Sequence, residues 1–170
     1  MDKAYYGIFD SSLGMVCIAS TQKGVCRIAL PEENQEDFFG WLEAHFDPQN
    51  VIEDRDKNEG VLAELEGYLA GGLRGFQSPL DLWGTEFQRK VWREVKAIPY
   101  GTTCSYREIA ERIGHPRAYR AVGAANGANP IPVIVPCHRV IGRDGSLRGY
   151  GSGLAMKEQL LRLEGAINCG

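Results

Sequence analysis

The sequence has no pair of cysteines at CxxC spacing, no apolar run of bilayer-spanning length, no internal repeat and no low-complexity tract. Each absence removes a class of protein. The five cysteines, Cys17, Cys26, Cys104, Cys137 and Cys169, are odd in number and far apart, which argues against a disulfide framework or a closed cysteine zinc site. Reduced thiols in a cytoplasmic setting, or a nuclear one in a eukaryote, are therefore expected, each by default a small buried hydrophobe. Cys17, Cys26 and His45 form no convincing ligand set, so neither a metal nor a cofactor is expected. The opening M-D-K-A-Y-Y-G-I-F-D lacks a basic region followed by an apolar core, and no signal peptide or membrane anchor is expected.

What is present suits a globular protein. The chain has 170 residues, 44% of them hydrophobic, enough for one domain or two small ones. The formal charge of -3 conceals an uneven distribution. Residues 1 to 84 hold 6 Lys+Arg against 15 Asp+Glu, a net of -9, whereas residues 85 to 170 hold 13 against 7, a net of +6. Such asymmetry points to a nucleic-acid partner for the basic half, and unequal solvated faces are the alternative.

The apolar stretches Ala4 to Phe9, Met15 to Ala19 and Val25 to Leu30, separated by turn residues, predict a strand meander. Phe38, Phe39, Leu42 and Phe46, then Val61, Leu62, Leu65 and Leu69, repeat at helical spacing and predict two helices against that small sheet. Gly71, Gly72, Gly75, Pro79 and Gly84 mark residues 71 to 84 as a connector, dividing an acidic α/β domain (1–84) from a basic, mainly helical one (85–170). T-E-F-Q at Thr85 is a capping box, followed by an apolar stripe of Phe87, Val91, Val95 and Ile98 that Pro99 stops. A second box, S-Y-R-E at Ser105, opens a short helix closed by Gly114.

A small-residue helix from Arg117 to Asn126 then follows at helix-turn-helix spacing. Its Ala118, Ala121, Gly123, Ala124 and Ala125 allow close approach, most simply to a neighbouring helix and alternatively to a DNA groove. Val133 to Val135 predict an extended segment leading to Cys137, and Leu154 to Leu163 a last helix ended by Glu164-Gly165.

Cys137 follows a proline and precedes His138 and Arg139, an electropositive setting of the kind that lowers a thiol pKa. On an extended segment, adjacent side chains point to opposite faces. His138 then reaches the thiol only through a water or across a bent backbone, and a distant acid is needed to orient the imidazole. Read alone, the adjacency is better taken as a buried cysteine beside a surface histidine.

R-A-V-G-A-A-N-G-A-N-P at Arg120 to Pro130, P-C-H-R-V at Pro136 to Val140 and G-Y-G-S-G-L at Gly149 to Leu154 stand in one ordered series. With F-Q-R-K-V-W, I-P-Y-G, S-Y and K-E-Q-L-L-R-L-E-G, they cover essentially all of residues 85 to 170. This series resembles the O6-alkylguanine-DNA alkyltransferases. The resemblance implies a ribonuclease-H-like α/β first domain and a mainly α, winged helix-turn-helix-like second one. It implies single-use DNA repair, in which Cys137 takes an alkyl group from O6 of guanine, with O4-alkylthymine a candidate second substrate. His138 would receive the thiol proton through a water, and Glu164 would hold the imidazole tautomer. Asn129 would bridge the cysteine's segment to the preceding helix.

The resemblance further implies that Arg120 fills the gap left by a base flipped through the minor groove, and that Tyr106 crowds the phosphate and assists the leaving guanine. Gly123 would allow close approach to DNA, and Arg107 and Arg143 would meet phosphates. Val140, Tyr150 and Gly151 would line the base pocket. The partner implied is double-stranded DNA carrying O6-alkylguanine, met by a monomer without a membrane. Two rivals are less complete: an alkyltransferase-like damage sensor lacks the acceptor cysteine, and a winged-helix regulator leaves P-C-H-R-V unexplained. A cysteine hydrolase would need an oxyanion hole that nothing specifies.

Overall fold

Short turns and alternating apolar residues fold the first part of the chain into a sheet edged by helices. A computed structural model describes residues 2–147 and 153–166. The chain divides into two units, Met1–Trp83 and Gly84–Gly170. In the first, β1 (Ala4–Ser11), β2 (Gly14–Ser20) and β3 (Val25–Ala29) form the expected antiparallel meander. A fourth strand, β4 (Val51–Glu53), pairs parallel with β1 and gives the order β3-β2-β1-β4. Three residues are too few for alternation to announce β4 in the sequence.

Helix α1 (Gln35–His45) starts where the Asn34 side chain accepts the amide of Glu36 at 2.9 Å, and it buries Phe38 and Leu42. These join Ala4, Cys17, Ala19, Cys26, Ala29 and Phe46 in one core cluster. Helix α2 (Glu59–Leu69) buries Val61, Leu65 and Tyr68.

The glycine-rich connector is less slack than its composition suggests. Its later residues continue the β3 edge: the amide of Val25 donates to Pro79 O at 2.9 Å, and that of Asp81 to Val25 O at 2.8 Å. Asp81 also accepts from the Thr21 hydroxyl at 2.6 Å and the Trp83 indole at 2.9 Å. Gly24 permits this approach, since at φ +152 a Cβ there would lie 2.3 Å from Pro79 O.

The second unit begins with α3 (Glu86–Lys96), where Thr85 and Gln88 close the expected capping box and Val91, Trp92 and Val95 face the core. Helix α4 (Tyr106–Arg112) opens on the Ser105–Glu108 box. Helix α5 (Tyr119–Gly127) packs against both α3 and α4, and the Trp92 indole donates to Ala125 O at 2.8 Å near its end. Helix α6 (Leu154–Leu163) follows the last turn.

The expected extended run at Val133 to Val135 is instead a tight turn. Pro132 and Val135 make an isolated bridge, and Val133 lies at φ 74, a backbone region that a β-branched residue rarely adopts. Burial explains the difference: residues 131 to 140 are all buried, so the apolar run fills a core without joining a sheet. Two short parallel strands, β5 (Cys104–Ser105) and β6 (Val140–Ile141), then bring the start of α4 beside the segment after Cys137. No helix among the described residues is long and apolar enough to cross a membrane.

Candidate active site

Pro136 ends the buried turn, and Cys137–Arg139 form a single 3-10 turn. Within it the Val140 amide donates to Cys137 O, and the Arg139 amide donates to Pro136 O at 2.8 Å. Cys137 and His138 therefore stand on a bent backbone and not on an extended segment. The cysteine is 5% exposed and the histidine fully buried.

Glu164, the cap residue of α6, reaches back to the turn. Its Oε2 lies 2.7 Å from Nε2 of His138. Burial lowers the His138 pKa against the opposing pull of Glu164, so the ring is neutral near pH 7. An ionised carboxylate only accepts, which places the imidazole proton on Nε2 and the basic lone pair on Nδ1.

The same carboxylate holds Arg139 in a two-point pair, with Nε to Oε1 at 2.8 Å and Nη2 to Oε2 at 2.9 Å. The third guanidinium nitrogen donates to Ile98 O at 2.7 Å, and the Gly101 amide approaches Oε1 at 3.2 Å. Gly101 itself is needed there: at φ +78, a Cβ would lie 3.1 Å from Glu164 O.

Arg139 is paired with Glu164 and His138 is uncharged, so of these two neighbours only the paired guanidinium carries a positive charge. Lys157 is a further cation coupled to Cys137, and its side chain is fully buried. Its Nζ donates to Val140 O at 2.6 Å and stands 5.8 Å from the centre of the Tyr106 ring. Burial lowers its pKa to about 8, with Cys137 pulling the other way, so it is mostly charged at pH 7. The other described thiols are chemically quiet. Burial pushes Cys26 up to about 12, Cys104 to about 11 with help from Glu108, and Cys17 upward.

The remaining candidates surround this centre. Asn129 donates from Nδ2 to Val135 O at 2.8 Å and accepts the Ile131 amide on Oδ1 at 2.9 Å, joining the end of α5 to the turn before Cys137. Tyr106, Arg107 and Arg143 line one depression of about 480 Å³ with Tyr119, Gly142 and Asp144. Arg120 is exposed near the start of α5, and Gly123 faces the Tyr106 ring. Val140 is buried in β6, whereas Tyr150 and Gly151 lie outside the described residues.

Two members of the site have no role in the sequence reading, Lys157 and Asn126, whose amide donates to Cys137 O at 3.2 Å, and Arg139 enters it only as a local positive charge and not as the clamp on Glu164. For Lys157 a signal existed. Lys157, Leu160, Leu161 and Glu164 recur at i, i+3, i+4 and i+7, so a cation and an acid share the apolar face of α6. A charge on such a face needs a buried partner.

Comparison with known proteins agrees with the geometry. Residues 86–166 match the 6-O-methylguanine DNA methyltransferase DNA binding domain, and residues 4–82 the ribonuclease-like domain of the same family. The chain belongs to the 6-O-methylguanine DNA methyltransferase family. It is 44% identical over 162 residues to a methylated-DNA–protein-cysteine methyltransferase of Methanosarcina acetivorans, covering 95% of this chain and 99% of the relative. The inducible methyltransferase of that name from Bacillus subtilis is 47% identical over 147 residues, with 86% and 82% covered.

Among solved structures, Mycobacterium tuberculosis OGT in complex with DNA superposes with a TM-score of 0.83 at 41% identity, covering 95% of this chain and 93% of that one. The Mycobacterium tuberculosis O6-methylguanine methyltransferase gives 0.79 at 42% identity, over 96% and 93%. The family therefore accounts for both units: an α/β ribonuclease-like first part and a helical DNA-binding second part.

Proposed function

We propose that this protein repairs double-stranded DNA by moving an alkyl group, methyl in the simplest case, from O6 of guanine onto its own Cys137, once. The observation that carries this reading is the 3-10 turn that sets Cys137 beside a neutral, buried His138 held at 2.7 Å by Glu164. A thiol beside an imidazole whose far nitrogen is fixed by a carboxylate has the parts of an activated nucleophile.

The thiol proton passes to Nδ1 of His138, through a water in the form we favour. The sulfur then forms a bond to the alkyl carbon as the bond from that carbon to O6 breaks. The electron pair leaves with guanine, and the proton returns to the base, assisted by Tyr106. The thioether that remains has no proton to lose and no leaving group as good as guanine, so the protein is consumed.

A guanine inside a duplex cannot reach a thiol that is 5% exposed, so the nucleotide must be flipped out, at roughly a few kcal/mol. Arg120, exposed near the start of α5, fills the gap. Arg107 and Arg143, beside the same depression as Tyr106, meet phosphates, and Gly123 lets the helix approach the minor groove. Val140 walls the base pocket. The basic part from residue 85 is the DNA-binding and acceptor domain, and the acidic part to residue 84 with its connector is the other. Reduced thiols fit a cytoplasmic location.

The test is a titration of a fixed amount of protein with excess O6-methylguanine duplex. Repaired guanine should plateau at one equivalent per protein, and Cys137→Ser should repair none. Repair continuing past one equivalent would refute the single-use acceptor.

A further inference from the structure

We infer that Asn126 is a positioning residue of the acceptor site, holding the Cys137 peptide to α5 and thereby aiming the thiol at the delivered base. This rests on the proposed function of the site. Asn126 lies in the last turn of α5 and is 2% exposed. Its Nδ2 donates to Cys137 O at 3.2 Å, and the Val140 amide donates to the same oxygen. Two donors from different elements thus fix the plane of the Cys137–His138 peptide, the unit that sets how the two side chains diverge.

Asn129 does a different task, because its partners are Val135 O and the Ile131 amide, both upstream of the cysteine. Asn126 grips the acceptor residue itself. The helix that supplies it carries Arg120 near its other end, so the element placed to deliver the base also holds the nucleophile's backbone.

The chemistry of the position supports a purpose beyond filling space. The Oδ1 of Asn126 is buried and makes no hydrogen bond among the described residues. Turning the amide over would set oxygen against the Cys137 carbonyl, so the bond to Cys137 fixes the orientation and leaves Oδ1 in this state. A leucine has nearly the same shape and would bury no polar atom. An asparagine in that place lowers stability at a point next to the nucleophile, where local rules are broken for function.

The test compares wild type with Asn126→Leu and Asn126→Ala. Three quantities are read: affinity for an undamaged duplex, the single-turnover rate of methyl transfer from a saturating O6-methylguanine duplex, and the pH profile of Cys137 alkylation by iodoacetamide without DNA. For Asn126→Leu we expect thermal stability equal to or above wild type and duplex affinity within about twofold. Methyl transfer should be slower by about tenfold or more, since small misplacements of a nucleophile are costly in rate. The iodoacetamide profile should be displaced.

A folded Leu variant with both the transfer rate and the iodoacetamide profile of wild type overturns the inference. The Ala variant answers the same question if Leu does not fold. In wild type alone, a side-chain amide of Asn126 that exchanges with solvent as fast as that of an exposed asparagine also overturns it. Wild type that fails to repair the duplex overturns the proposed function instead, and the iodoacetamide comparison still decides the role of Asn126.

Discussion

Removing the charge of Glu164 should damage the fold as much as the chemistry, and the two effects are separable. Its carboxylate side chain is 0% exposed and faces an Arg139 side chain that is 7% exposed. Glu164→Gln keeps the shape and one acceptor oxygen but leaves the guanidinium buried without a counter-charge. Breaking one side of such a pair is destabilising by roughly 3–5 kcal/mol. For a unit of this size each kcal/mol moves Tm by about 4–8 °C, so a fall of roughly 12 °C or more is expected.

Trp92, buried in the second unit, reports its unfolding once Trp41 and Trp83 of the first are replaced by phenylalanine. Adding Arg139→Met to Glu164→Gln removes the orphaned charge and should recover at least about 2 kcal/mol. The double variant should nevertheless transfer methyl at least ~100-fold more slowly than wild type, because the imidazole has lost the carboxylate that fixes its tautomer. A Glu164→Gln protein destabilised by less than about 1 kcal/mol would refute the reading of Glu164 as the anchor of both residues.

Two further perturbations follow from the same geometry. Burial holds the His138 pKa below its ordinary value, so as pH falls through about 6.5 the unfolded chain takes up a proton before the folded one does. Stability should decline from there down to the folded-state pKa, and the difference in denaturation midpoint between pH 7.5 and 5.5 should shrink in His138→Gln. An unchanged difference would contradict a neutral buried imidazole. Gly123→Ala puts a Cβ 3.8 Å from the Tyr106 ring, an ordinary contact, so folding stability should hold or rise by up to about 1 kcal/mol. Duplex affinity should fall under the proposal that Gly123 gives the helix its close approach to DNA. Loss of stability without loss of affinity would assign Gly123 to packing instead.

The fold was legible wherever a pattern ran for several residues. The three meander strands, both capping boxes and α6 from Leu154 to Leu163 follow from alternation, from S/T-x-x-E/Q spacing and from helical periodicity. Legibility failed where the answer is set by tertiary partners. Strand β4 exists because β1 has an edge to fill, and Val133 to Val135 turn because a core accepts them, neither of which shows in local composition.

The site divides in the same way. Glu164 meets His138 across 26 residues of chain, and only the ordered family motifs connected it to Cys137 and His138. Arg139 is legible only as a local positive charge; that it also clamps Glu164 is set by a distant segment of the chain, as is the approach of Lys157 to Cys137. Asn126 is assigned no role in the sequence reading, since an asparagine at a helix end ordinarily marks a turn.

The central claim is that one particular sulfur is the acceptor, and the most direct measurement is where the methyl group goes. The protein is incubated with a duplex containing isotopically labelled O6-methylguanine, weighed intact, digested and mapped. One labelled methyl per protein, confined to the peptide containing Cys137, with Cys17, Cys26, Cys104 and Cys169 unlabelled, is the predicted result. Label on another cysteine, or repaired DNA beside a protein of unchanged mass, would contradict the account.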